Sequence, residues 1–442
     1  MEDSLAYHCV VAATGKFSSP GGPVASSHDH PDGAVVVNST ANRGLGFILM
    51  ATVLGGLVGY AVQAAVLSQL DPAAYLRFSV FWSALYLVIS GLAGIQQEVT
   101  RATRFSARRQ QHTSNTARNF GALTSVAFFG AIVSLGPLWG PLVFGDDWSW
   151  SLVVALAMGA ASYVVVAVFC GTMYGLHQWR TLAVMISSDA LLRLAFIGIL
   201  LSFSGARELL PWAVILPFPF TVLVVWAVVR KHTRGRSILD VNLKSLAWNS
   251  ARTVSGSVAT GILISGFPLF LSLASRNDSA AAVGTLIAVV TLTRAPLVIP
   301  FLALQSYLLV FFRDHTSSFW RVFGLILGAI AVATAVASGL AWWLGPSLLG
   351  FFGPGYTVEA STAGLLVASA AFTAALCASG PAVLARNGHA AYSAGWIAAA
   401  VGVVALLFLP LDLDSRSILA LAVGPAIGLV VHLIYLVRIT RA

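Results

Sequence analysis

Residues 135–145 read LGPLWGPLVFG, and residues 344–353 read LGPSLLGFFG. Each stretch closes a long apolar run with Leu-Gly-Pro and ends on Phe-Gly, where a polar loop opens. Other marks keep the same interval: Gln96 with Gln305, and Gly171 with Gly380. A chain that repeats itself in the same order of segments is built from two related halves. In a bilayer such halves pack face to face around a central cavity, the architecture of a machine that moves something across the membrane.

Composition makes the membrane assignment. The chain is 58% hydrophobic and 9% charged, with a mean hydropathy of +0.85, against roughly 25% charged residues in a soluble domain. A span needs ~20 mostly apolar residues, and twelve such runs occur, with cores at 44–68, 78–99, 120–143, 151–173, 181–203, 212–229, 254–275, 283–310, 322–344, 361–385, 390–410 and 418–437. Lipid offers no partner to a free N–H or C=O, so these runs form helices. The expectation is an all-α integral membrane protein: twelve transmembrane helices in two homologous six-helix lobes around a central cavity. Residues 1–43 read as a disordered polar tail, 44–230 as the first lobe, 231–253 as a linker and 254–438 as the second lobe.

The net charge of +9 is sorted by loop. Arg101, Arg104, Arg108, Arg109 and Arg118 follow segment two, and Arg230, Lys231, Arg234, Arg236, Lys244 and Arg252 follow segment six. The alternate loops hold Asp71, Asp146, Asp147, Glu208, Asp278, Glu359, Asp412 and Asp414. This is the positive-inside pattern of an even number of spans with both termini cytoplasmic. The basic charge is thus a topology signal rather than a nucleic-acid site, with anionic membrane lipids as second partners.

The loops exclude other classes. None is long enough for a soluble catalytic domain, and Thr14-Gly15-Lys16 lacks the remainder of a phosphate loop. The first loop after segment one holds a single acid, Asp71, which disfavours a polyprenyl-sugar-dependent glycosyltransferase. An enzyme reading is discounted and no cofactor is called for. Cys170 and Cys377 read as small packing residues, and with Cys9 they form no disulfide framework.

Three ionisable residues lie deep in the expected spans: Asp189, Arg193 and Arg294. Each costs ~2.5–3.5 kcal/mol on insertion scales, so each needs a partner or a polar interior. Asp189 and Arg193 are four residues apart on one helical face. They are either a self-neutralising pair or a pair that lines the cavity. Arg294 has no acidic neighbour in its segment and precedes Pro296, which lacks an N–H and frees a carbonyl one turn back. Either its guanidinium fork meets phosphate oxygens, which it suits, or it pairs with Asp189 or a backbone carbonyl for structural reasons alone. Glu98 and Arg101 stand one turn apart where segment two ends, as an interfacial ion pair or as cargo contacts. Gln96 and Gln305 either bind sugar hydroxyls or tie helices together. The pairs Gly55/Gly59, Gly171/Gly175, Gly324/Gly328 and Gly424/Gly428 allow close helix packing.

The "GIQQEVTR" end of segment two, Tyr75 and Phe78 after segment one, and the Gly-Pro…Phe-Gly closings of segments three and nine resemble the polysaccharide-transporter branch of the multidrug/oligosaccharidyl-lipid/polysaccharide (MOP) exporter superfamily, the Wzx-like flippases. The resemblance covers roughly residues 43–438. It implies two six-helix lobes and turnover of a polyprenyl-(pyro)phosphate-linked glycan from the cytoplasmic to the outer leaflet of a bacterial plasma membrane. Segments one, two, seven and eight would then line the cavity, bringing Gln96, Gln305 and Arg294 to the cargo. Glycan-assembly enzymes are the implied protein partners. A cation-coupled drug exporter of the same superfamily would prefer acidic cavity residues. A facilitator-type carrier would place glycine and aspartate in 101–118, where there are none. A non-transporting scaffold for glycan-synthesis enzymes is the reading from another class.

Overall fold

The computed structural model describes residues 32–105, 116–233, 237–239, 241–314, 319–353 and 355–441; within its helices some side chains, that of Arg294 among them, lie outside the described residues. In chain order the helices are α1 (Asp32–Gln69), α2 (Pro72–Ala102), α3 (Thr116–Ser134), α4 (Gly136–Phe144), α5 (Trp150–Gly175), α6 (Trp179–Leu201), α7 (Leu210–Ile215), α8 (Pro217–Thr233), α9 (Leu243–Ile264), α10 (Phe267–Ala274), α11 (Ala280–Asp314), α12 (Phe319–Phe352), α13 (Ala360–Leu384), α14 (His389–Leu407) and α15 (Leu413–Arg441). Among the described residues, nine segments are long and apolar enough to cross a bilayer. Two bent pairs, α3–α4 and α9–α10, are long and apolar enough only when taken together, each turning by 69° at a short break. The 35-residue α11 runs through the place of the remaining expected segment. The boundary expected at residue 43 falls inside α1, which starts at Asp32 although its apolar span starts only at Gly46.

The two halves are built alike. In the first, α2 and α3 pack on α5, α1 packs on α6, and α8 closes against α5 and α6. In the second, α11 and α12 pack on α13, α9 packs on α14, and α15 closes against α13 and α14. The same helices of each half meet in the same way, so the sequence repeat is a structural repeat. The chain is a multi-pass, nearly all-helical membrane protein built of two like halves; its strands among the described residues are the three-residue β1 (Thr103–Phe105) and β2 (Ser237–Leu239). They pair antiparallel, Thr103 opposite Leu239, and tie the loop after α2 to the linker between halves.

The repeated motif has a physical reason. Gly145 and Gly353 both take positive φ, 57° and 154°, conformations that cost a side-chain-bearing residue steric strain. Each ends its helix there. His177 and Asn387 likewise carry φ of 57° and 58° at matching turns, after α5 and after α13. The halves differ at the Leu-Gly-Pro step: Pro137 begins the bent segment α4, while Pro346 lies inside an unbroken α12. Of the small-residue pairs, Gly171/Gly175 pack on α2 and Gly424/Gly428 on α14, whereas Gly324 and Gly328 meet nothing.

Candidate functional site at the seam between the halves

Helix α2 is the shared element. It runs along α9 of the other half and meets α11 near its own start. The contact is backbone-close: a Cβ on Gly94 would stand 2.5 Å from the Val254 nitrogen and 2.7 Å from the Thr253 carbonyl carbon. Further along, Gly91 faces Val258 and Gly261 faces Ser90. Among the described residues no ion pair crosses this seam. It is held by close-packed small residues, by apolar side chains that run continuously from one half into the other, and by single hydrogen bonds.

At two places those bonds repair, from one half, a helix backbone interrupted in the other. At the α9–α10 bend the bond from the Leu269 N–H to the Ser265 carbonyl is missing. Ser83 of α2 occupies its place: its Oγ donates to the Ser265 carbonyl at 2.5 Å and accepts from the Leu269 N–H at 3.2 Å. A hydroxyl inserted into the i→i−4 ladder is a recognised cause of a sharp kink. In α11, Pro296 has no N–H to give the Leu292 carbonyl. The Tyr60 hydroxyl of α1 donates to that carbonyl from across the seam. In both places a side chain of one half completes the backbone of the other, where lipid supplies nothing.

The seam is closed at both ends. At the linker end, Glu98 (4% exposed) takes two bonds from Arg101, at 2.8 and 2.7 Å, and one from Asn249 of α9 at 2.9 Å. At the opposite end, the Tyr356 hydroxyl, between α12 and α13, donates to the Leu70 carbonyl at 2.9 Å. Burial pushes this phenol above its usual range, so it remains a neutral donor. Its ring meets Tyr75 edge-on, centroids 6.3 Å apart. Tyr75 in turn donates to Gln63 Oε1 at 3.1 Å, with Thr291 of α11 beside its hydroxyl. Arg276 reaches the Leu142 carbonyl of α4 at 2.6 Å.

The residues singled out in the sequence are distributed between seam and lobes. Glu98 and Arg101 are on the seam. Arg193 is 1% exposed inside the first half: Nη2 to Asp189 at 2.7 Å, Nε to the Val214 carbonyl at 3.2 Å, and its guanidinium 4.9 Å from the Phe218 ring and 5.9 Å from that of Tyr86. Every partner in that set belongs to the first half, as in the self-neutralising reading. Gln96 is fully buried on α2 where Gly171 of α5 meets its carbonyl, and Gln305 donates to the Cys377 carbonyl of α13 at 3.4 Å. The Gln305 side chain thus ties α11 to α13, while at Gln96 it is the backbone that Gly171 of α5 approaches. Arg294 lies on the α11 backbone, its side chain outside the described residues. Cys170 and Cys377 are buried, unbridged packing residues. Sequence reasoning missed Ser83, Tyr60, Asn249 and Tyr356. Pro296 was the one available signal, because it names the carbonyl that must find a partner.

The geometry has known counterparts. A multidrug resistance MATE family transporter of the MOP superfamily, in its inward-facing conformation, matches 86% of this chain and 94% of its own with a TM-score of 0.65 at 13% identity. The lipid II flippase MurJ, in an inward closed conformation, matches 88% of this chain and 86% of its own with a TM-score of 0.63 at 11% identity. The fold is therefore that of the MOP-superfamily transporters. No family model matches the chain. By sequence it is 30% identical over 417 residues to the uncharacterized protein Rv1510 of Mycobacterium tuberculosis, covering 92% of this chain and 94% of the relative. It belongs to the same family as that protein.

Proposed function

We propose that this protein is a Wzx-like flippase that carries a polyprenyl-(pyro)phosphate-linked glycan from the cytoplasmic to the outer leaflet of a bacterial plasma membrane for envelope polysaccharide assembly. The observation that carries the reading is the seam. Two like bundles, apolar outside, meet along small residues and single neutral or half-neutral hydrogen bonds. Such contacts exchange readily for water or cargo when bundles rock, at a net ~0.5–1.5 kcal/mol each. A glycan head with a diphosphate cannot cross hydrocarbon with its hydrogen bonds unmade. A polar gap that opens sideways shelters the head while the lipid tail stays in the bilayer.

The orientation puts the basic linker end, and both termini, in the cytoplasm. The lobes are 44–230 and 254–438. Arg294, two residues after the Tyr60-bonded Leu292 and two before Pro296, is the proposed anchor for the diphosphate. Anionic lipids meet the basic loops, and glycan-assembly enzymes dock at the same face. The test is reconstitution in liposomes with defined polyprenyl-diphosphate sugars. Protein-dependent turnover, lost in Arg294→Ala with insertion retained, supports the reading. Failure to turn over any such lipid, with drug sensitivity in a deletion strain, would replace it with multidrug export.

A further inference from the structure

We infer that the half of the seam away from the linker holds a subsite for a neutral sugar ring, made of Tyr60 and Gln63 on α1, Tyr75 on α2 and the Leu292 carbonyl on α11, under Tyr356. The inference rests on the flippase reading and says which part of the cargo this place meets.

The chemistry is uniform. Every group in the set is uncharged, and none of the hydrogen bonds within it involves an ion. The set offers a free donor: Gln63 is 4% exposed, its Oε1 is taken by Tyr75, and its Nε2 has no hydrogen-bond partner among the described residues. Buried amides left half-made are rare, because the unmade bond is costly. The set also offers an acceptor that the helix itself cannot use, the Leu292 carbonyl freed by Pro296 and now held by Tyr60. Donor, acceptor and amphoteric phenols stand beside the rings of Tyr60, Tyr75 and Tyr356. A sugar presents what they want: hydroxyls that donate and accept, and an apolar C–H face that packs on an aromatic ring.

Opening the seam makes the need acute. Tyr60 and Leu292 belong to different halves, as do Tyr356 and Leu70. When the halves part, both bonds are lost; the Leu292 carbonyl, with no helix N–H to return to, must then find water or cargo in the gap. A phosphate would bring charge to a set with no cation. A hydroxylated ring replaces the lost bonds one for one.

The experiment compares two probes in liposomes: bare polyprenyl diphosphate, and the same lipid carrying one hexose. The readout is the ratio of the two flipping rates, which a general loss of folding or activity leaves unchanged. Wild type should favour the sugar-bearing lipid. Gln63→Leu should lower that preference by about tenfold, the equivalent of one to two hydrogen bonds. Tyr60→Phe, which keeps the ring and its packing, should lower it similarly should Gln63→Leu fail to insert. A wild type with no preference, or an unchanged ratio in Tyr60→Phe, overturns the subsite while leaving the flippase reading intact. A wild type that moves neither lipid overturns both.

Discussion

Replacing Ser83 with alanine removes one hydroxyl that serves two backbone groups. Ser83 is fully buried, and its Oγ is bonded to the Ser265 carbonyl and the Leu269 N–H on either side of the 69° bend. In the bent form both groups would then lack a partner, at ~1–3 kcal/mol each. A straight helix recovers their mutual i→i−4 bond. The bent form should therefore lose roughly 2 kcal/mol or more relative to the straight one, a shift of at least ~30-fold in their ratio. Spin labels at the exposed positions Trp248 and Asn277 bracket the bend, and pulsed dipolar spectroscopy reads their separation. Ser83→Ala should add a longer distance to the distribution, or, where neighbours hold the bend, lower the unfolding temperature instead. A wild-type distance together with wild-type thermal stability would refute the idea that a hydroxyl from α2 holds the bend open.

Arg193→Met should destabilise the first half by ~3–5 kcal/mol, because it strands Asp189 in a buried site. The double variant Asp189→Leu, Arg193→Met should recover most of that loss in a detergent melting assay; a double no better than the single would argue against a self-contained pair. Gly94→Ala should push α2 from α9, since the obstructing atoms are Val254 and Thr253 backbone, and a cross-link between positions 98 and 249 should form more slowly than in wild type. Asp412 caps α15 by accepting from the Ser415 N–H at 2.9 Å, and that backbone bond holds its carboxyl below the usual range. The protection it gives is present above the ordinary aspartate range and lost as pH falls through the lowered value. Exchange of the Ser415 amide, corrected for intrinsic rate, should thus rise on acidification and stay flat in Asp412→Asn.

Much of this architecture is legible in the chain. Apolar run length is enough to place the segments, because a bilayer permits no other backbone solution. The Phe-Gly pair is legible as a helix end in both halves, since positive φ selects glycine. Pro296 announces a freed carbonyl by its missing N–H. The site is less legible. Arg193 announces its partner Asp189 by the four-residue spacing, but its other partners, the Val214 carbonyl and the rings of Phe218 and Tyr86, have no sequence signature. Gln96 and Gln305 share their interval because both sit on the second span of their half, and the sequence does not say what either side chain meets.

The sequence by itself determined the order of the apolar segments, the repeat, and the sorting of charge between alternate loops. These follow from short-range chemistry: hydrophobicity, backbone strain and the cost of charge in lipid. Only the tertiary structure decided who completes whom across the seam. Ser83 answers Leu269 and Tyr60 answers Leu292 across intervals of 186 and 232 residues. A serine or tyrosine carries no mark of its partner, because that choice is made by which helices the packing brings side by side.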